Sequence, residues 1–233
     1  MTAALIAIGA LVYTAWLLEF PAATGLDPVQ SYVSELAAED QPLGGLFRTA
    51  DLTAGLLVLT GALWALARTP RTPHRAWALI GWGGVALFGA ATAVDSRLPL
   101  SCAPTDDPAC AAREAAGLVP ATHTAHAVSS SVAMTGALIG MLALTVAARR
   151  YGWWPPIARY GPAIVAVELT ATVWTLSSVA AFEAGRGTWA LGAGQRLQVL
   201  FVAVWLGVLA LSLARAARRG GTDHGGIRLD GAR

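Results

Sequence analysis

The stretch "GPAIVAVELTATVWTLSS", residues 161–178, holds eighteen residues and a single charge, Glu168. A run of that length approaches the ~20 apolar residues an α-helix needs to cross a hydrocarbon core of ~30 Å. A charge in such a helix costs at least ~2.5–3.5 kcal/mol on the insertion scale. At 1.5 Å per residue Glu168 lies ~12 Å inside the span, so its side chain is expected to face neighbouring helices, neutral or paired.

Outward from this stretch, the same reading gives six spans, at roughly 3–20, 47–67, 76–94, 120–148, 160–181 and 196–214. With 55% hydrophobic and 13% charged residues, almost no chain is left for a soluble domain. The expected fold is an all-α, polytopic six-helix transmembrane bundle in one domain, residues 1–214, multi-pass in the cell membrane. The first run, "AALIAIGALVYTAWLLEF", lacks the basic n-region and small-residue cleavage site of a signal peptide and is read as the first helix. No period of 20–50 residues repeats, and short loops make successive helices antiparallel. Residues 215–233, rich in Gly and Arg, are expected to be a disordered tail, with no role for His224.

All 16 basic residues are arginines, and 11 of them follow spans two, four and six, in "RTPRTPHR", "RRYGWWPPIAR" and the tail. The positive-inside rule places these segments, and both termini, in the cytoplasm. Loops 21–46, 95–119 and 182–195 then face outward. Cys102 and Cys110 lie in the second of these, on the oxidising side and eight residues apart, which suits a loop disulfide.

Every span brings something polar to that outer lip: Glu19, Asp51, Asp95, His123 with His126, Glu183, and Gln195 with Arg196. Arg196 stands on the side that the rule disfavours, so a carboxylate partner is expected, Asp95 or Asp51. Arg48 and Asp51, three apart on one helix face, are placed to satisfy each other. "SYVSELAAED" reads as a short amphipathic helix capped by Ser34, with Tyr32, Val33 and Leu36 on the membrane and Glu35 in the first turn. There it is positioned to cover the polar lip. Small residues, "GWGG", "FGAA" and "GALIG", suit close helix packing. Of the nine tryptophans, Trp153, Trp154 and Trp189 suit an interfacial belt, whereas Trp82 and Trp174 are among those inside the spans.

"SEL" at Ser34–Leu36, "LFRTADLTAGLLVL" after it, Asp95 ending span three, a histidine opening span four and "GAGQR" at Gly192–Arg196 resemble the DUF998 family of small six-helix prokaryotic membrane proteins. The resemblance covers about residues 3–214. It implies a topology and a choice of residues more than a chemistry. The histidine is doubled here, and either His123 or His126 answers to the family's residue.

Three activities compete. A catalytic zinc takes three protein ligands and a water. His123 and His126 share a face and, with Asp95 or Asp51, offer too few imidazoles to favour a metal-dependent lipid hydrolase. Metal-free acid–base chemistry on a lipid or isoprenoid fits better, with Asp95 or Glu168 as the acid, His123 or His126 as base or orienter, and Asp51 as a further catalytic candidate. Glu35, Gln195, Arg196, Trp82 and Trp174 would hold the substrate, the indoles through cation–π attraction. Proton-initiated terpene cyclisation is its most concrete form, without cofactor or metal. The third reading is a non-enzymatic lipid-binding, sensing or accessory protein. The expected partners are the bilayer and a lipophilic small molecule. No nucleophile elbow, phosphate loop, nucleic-acid patch or paired interrupted helices is visible, and oligomeric state is not encoded legibly.

Overall fold

The structure, a computed structural model, describes residues 1–70 and 75–223, with side chains only to Arg219 at the C-terminal end. His74 and His224 lie outside the described residues. Helices α1 (Thr2–Val12), α2 (Glu19–Ala22), α3 (Gly44–Ala67), α4 (Arg75–Asp95), α5 (Pro108–Ala115), α6 (Ala121–Tyr151), α7 (Pro155–Glu183) and α8 (Leu191–Asp223) account for the architecture. Two short 3₁₀ turns, Ala15–Leu18 and Val33–Ala37, complete it. Six segments are long and apolar enough to cross a membrane: Thr2–Ala22, Gly44–Ala67, Arg75–Asp95, Ala121–Tyr151, Pro155–Glu183 and Leu191–Arg219. They coincide with the expected spans and overrun most of their ends. The last helix continues past residue 214 to Asp223, so the tail expected to be disordered begins as helix.

Each span packs on its neighbours in the chain, and α8 returns to pack on α1. The result is a ring closed in sequence order. Its outer surface carries Ile8, Leu56, Ile80, Val128, Val173, Leu176 and Leu211, all exposed, as a lipid-facing wall requires. Inside, one end of the ring is filled by Phe88, Met141, Leu144, Ile157, Trp205, Leu206 and Leu209. This is the arginine end, where α3, α6 and α8 finish. The other end carries the disulfide and the polar groups.

Close backbone approach sets the register of three of the helices. A Cβ on Gly55 of α3 would stand 2.7 Å from the Gly89 carbonyl oxygen of α4, and one on Gly84 would stand 2.5 Å from the Gly140 nitrogen of α6. The small-residue motifs thus bring α3, α4 and α6 into direct contact. That contact holds Asp51, one turn before Gly55, and Asp95 on adjoining helices.

The first span is not one continuous helix. After Val12 it tightens into the 3₁₀ turn Ala15–Leu18 and resumes as α2. In a 3₁₀ turn residues three apart eclipse one another, and Tyr13, Trp16 and Glu19 are so spaced. Trp16 and Glu19 are buried, and Tyr13 stacks edge-on against Phe88 of α4 at 5.2 Å.

The segment expected to be an amphipathic helix on the membrane is instead the 3₁₀ turn Val33–Ala37, folded into the mouth of the ring. Ser34 caps nothing, since Tyr32 occupies the N-cap and no side chain bonds there. Tyr32 packs on Phe182 of α7. Glu35 and Leu36 are buried. The reason is Thr105 in the neighbouring loop, whose N–H (2.7 Å) and hydroxyl (2.5 Å) both donate to the Glu35 carboxylate. Leu36 and Ala37 meanwhile pack with Trp16, Phe47 and Ala103.

Candidate functional site

Beneath that turn lies a cavity of about 130 Å³. Its ionisable lining is Asp51 (α3), Asp95 (α4), His126 (α6) and Arg48 (α3), with Ser34, Ser130, Gln195 and Gln198 beside them. Tyr13, Trp16, Phe47, Met134 and Val199 supply its apolar wall.

His126 and Asp95 form its centre. The His126 Nδ1 lies 2.9 Å from the Leu98 carbonyl oxygen. A carbonyl only accepts, so Nδ1 carries the proton and Nε2 is left as the basic nitrogen. Nε2 is 3.3 Å from the Ser130 hydroxyl. Asp95 Oδ1 is 3.2 Å from Nδ1. The carboxylate accepts hydrogen bonds from Ser130 (2.9 Å) and, more closely still, from Ser129. Ser130, His126 and Asp95 touch one another without making a nucleophile triad, because the Nδ1–H points to Leu98 and the Ser130 hydroxyl is shared with Asp95.

Asp51 is the contrast. It lines the same cavity and makes no hydrogen bond or ion pair among the described residues. The expected Arg48–Asp51 pair does not form. Arg48 turns instead to the main chain of the 3₁₀ turn, its Nη1 donating to the carbonyls of Ala37 (2.6 Å) and Ala38 (3.2 Å). The Ala38 carbonyl also accepts from the Gln41 N–H at 3.3 Å, whereas the Ala37 carbonyl is left at the end of a short turn, and a long cation reaching back is a common way to satisfy such a group.

The second histidine belongs elsewhere. The Nδ1 of His123 accepts from the Ser101 N–H at 3.1 Å, so in the neutral ring its proton is on Nε2, 3.3 Å from Glu114 of α5. His123 is buried under the loop closed by the Cys102–Cys110 disulfide, with sulfurs 2.01 Å apart. Two imidazoles on one helix face therefore bind different residues of the loop between α4 and α5 and present opposite tautomers. Among the described residues no three His, Cys, Asp or Glu side chains stand together as a metal would need.

Arg196 overturns the expected partner. Its Nε and Nη2 donate to both carboxylate oxygens of Glu19, at 2.7 and 2.6 Å, and its Nη1 donates to the carbonyls of Ser31 and Gly192. Neither Asp95 nor Asp51 is involved. Such a fork-on-fork pair ties the first span to the last and closes the ring. With its donors engaged, Arg196 does not line the cavity. Gln195 does, and its Oε1 accepts from the Val33 N–H at 2.8 Å.

Glu168 is fully buried in α7, as its place in the sequence required, but stands behind the cavity. The Thr172 hydroxyl donates weakly to its Oε1 at 3.4 Å, and Thr172 accepts from Gln198 at 2.9 Å. Its Oε2 has no partner. Trp82 packs against Trp154 toward the arginine end, at 6.3 Å. Trp174 faces outward and donates to the Trp189 carbonyl. Neither indole borders the cavity. Glu35 holds the covering turn from outside, where burial pushes its pKa up to about 7 despite the opposing bonds from Thr105.

Sequence reasoning had no place for Tyr13, Trp16 or Gln198. The three-residue spacing of Tyr13, Trp16 and Glu19 was the available signal, and so was Gln198, three residues after Gln195.

A family model described as a protein of unknown function (DUF998) matches residues 6–212. The chain belongs to the DUF998 family. No curated protein and no solved structure matches it. As a DUF998 member with six membrane-length apolar helices it is a multi-pass membrane protein.

Proposed function

We propose that this DUF998 protein is an intramembrane acid–base enzyme acting on the polar or unsaturated end of a lipid or isoprenoid. What supports this reading above all is Asp51, a carboxyl with no bonding partner that shares a cavity with the basic Nε2 of His126. A carboxyl and a basic imidazole nitrogen lining one cavity are the kind of pair that general acid–base catalysis uses. Asp95 orients the imidazole and balances its charge when it gains a proton. Glu168, held by Thr172 and through it by Gln198, stands behind the wall and takes no part in the proton transfer.

The cavity is small beside the ~300–1,000 Å³ of pockets that enclose a drug-sized ligand. It admits an end of a molecule, with the chain left among the lipids. Terpene cyclisation needs a whole chain folded against aromatic faces, and Trp82 and Trp174 are not at the cavity, so the cyclase form of the proposal loses its support. The same smallness favours one second reading, a protein that binds a headgroup without transforming it.

In this proposal the arginine-rich connections and both termini face the cytoplasm, and the disulfide loop faces the oxidising side. A reporter fused at the C-terminus is expected to stay inside, and its export would reverse the orientation.

The activity is tested with protein in nanodiscs carrying total lipid extract and prenyl alcohols in D₂O. Proton transfer to carbon leaves deuterium in a product, read by mass spectrometry. Wild type is expected to yield a labelled or cleaved species that Asp51→Asn and His126→Gln reduce at least ~100-fold, the range general acid–base catalysis contributes. No product from wild type, with a lipid retained through purification, would leave the binding reading in its place.

A further inference from the structure

The polar lining of the cavity falls into two groups. One offers acceptors: the free carboxyl of Asp51, and Asp95 beside His126. The other gathers about the turn Val33–Ala37 and offers donors, with Arg48 reaching it from the same helix that carries Asp51. Arg48 uses only its Nη1 on the turn's carbonyls, which leaves the N–H groups of Nε and Nη2 unengaged. Gln195 spends its Oε1 on Val33, which leaves its NH₂ group unengaged. Ser34, between the two anchors, makes no side-chain hydrogen bond among the described residues. Half-buried Arg48 has no carboxylate partner among the described residues, whereas the buried guanidinium of Arg196 has its carboxylate at 2.6 Å.

A cation without an ion-pair partner and a carboxyl without a donor, both lining one cavity, call for a ligand carrying both charges. We infer that the cavity binds a phosphate–ammonium headgroup of the phosphoethanolamine type, its phosphate on Arg48, Ser34 and Gln195 and its primary ammonium on Asp51. A guanidinium fork suits phosphate oxygens, and an ammonium with three N–H donors suits a carboxyl that lacks any. The size agrees, since the polar group fits and acyl chains do not. The inference rests on the reading of this cavity as the ligand site and names its ligand class.

The test crosses headgroups with variants in titration calorimetry of the full chain. The probes are short-chain phosphatidylethanolamine, phosphatidylglycerol and phosphatidylcholine, and soluble O-phosphoethanolamine. Phosphatidylethanolamine is expected to bind at least ~10-fold more tightly than the other two lipids, since one charge-assisted hydrogen bond is worth that much. Arg48→Gln should weaken phosphatidylethanolamine and phosphatidylglycerol alike by ~10-fold or more. Asp51→Asn should weaken phosphatidylethanolamine alone, and Arg97→Gln, an exposed arginine off the cavity, neither. Because Arg48→Gln also releases the turn, Ser34→Ala gives the second reading, a loss of a few-fold with unchanged thermal stability.

Equal binding of the three lipids, or a loss in Arg48→Gln no larger than in Arg97→Gln, overturns the inference. Binding of O-phosphoethanolamine as tight as that of the lipid makes the source a soluble ester. Weaker binding makes it a membrane lipid. If the lipids sort as expected and the D₂O experiment gives no product, the site stands and the enzyme falls. If an uncharged isoprenoid is turned over at the same rate by Arg48→Gln, the enzyme stands and this headgroup site falls.

Discussion

Two ion clusters sit within the same end of the ring and differ in one respect. Glu19 and Arg196 bond each other at both oxygens, and the guanidinium's third nitrogen bonds two carbonyls. At the cavity, Asp51 has no hydrogen bond or ion pair among the described residues, Arg48 leaves its Nε and Nη2 spare, and His126 keeps a basic nitrogen beside Ser130. Both clusters cost desolvation. Only the first recovers it internally, so the first is architecture, and in the proposed reading the second recovers it from a ligand. Saturation, more than depth or charge, separates a structural polar group from a functional one in a membrane bundle.

The largest expected effect comes from breaking the saturated cluster. Arg196→Met leaves the Glu19 carboxyl at 3% exposure without a partner, and loss of one member of a buried pair typically costs about 3–5 kcal/mol. We expect a large fall in thermal midpoint in detergent, recovered in good part by Glu19→Leu/Arg196→Met. A stable single variant would show that the ring closes by packing alone.

Next comes the covering turn. Glu35 titrates at an ordinary 4.5 when unfolded and at about 7 when buried under Thr105. The folded state therefore binds the proton more tightly, and stability falls as pH rises from about 4.5 to 7. The difference is on the order of 3 kcal/mol once the carboxyl is ionised. Glu35→Gln should leave stability unchanged at pH 4 and raise it at pH 8, as read by thermal unfolding at both. A variant less stable at pH 8 would mean that the ionised form holds the turn.

The helix register that brings Asp51 beside Asp95 is a smaller lever. Gly55→Ala places a methyl 2.7 Å from the backbone of α4, and such overpacking costs roughly 1–3 kcal/mol. Because α3 must back away from α4, the D₂O product and the phosphatidylethanolamine affinity should fall with it. Unchanged values of both would detach the site from the register.

The six spans were legible because hydropathy is a local property, and Glu168 announced its inward face because no lipid-facing position tolerates it. The Cys102–Cys110 bridge was legible from spacing. Arg196's partner was not. Glu19 lies 177 residues away, and the two meet only because the ring closes last span on first, a fact no local pattern carries. The turn Val33–Ala37 misled for a related reason: alone it reads as an amphipathic helix, and only Thr105, from a distant loop, draws Glu35 inward. Of the two histidines, sequence assigned the shared helix face correctly and left their fates open. One turn of helix is enough for Ser101 to claim one and the Leu98 carbonyl the other.

The smallest effect on stability belongs to the residues with the largest expected effect on function. In Asp95→Asn the amide oxygen still accepts from Ser129 or Ser130 and its NH₂ group finds a hydroxyl oxygen, so the hydrogen bonds are exchanged with little net loss. One net hydrogen bond is worth about 0.5–1.5 kcal/mol, which bounds the change in thermal stability. His126→Gln removes the basic nitrogen and keeps a donor for the Leu98 carbonyl, so it falls under the same bound. Both should nevertheless lower deuterium incorporation at least ~100-fold, His126→Gln because the amide takes up no proton and Asp95→Asn because no carboxylate is left to orient the imidazole and balance its charge. If instead Asp95→Asn destabilises as much as Arg196→Met, the two clusters are alike, and Asp95 with His126 is a second clasp on the ring rather than the centre of a reaction.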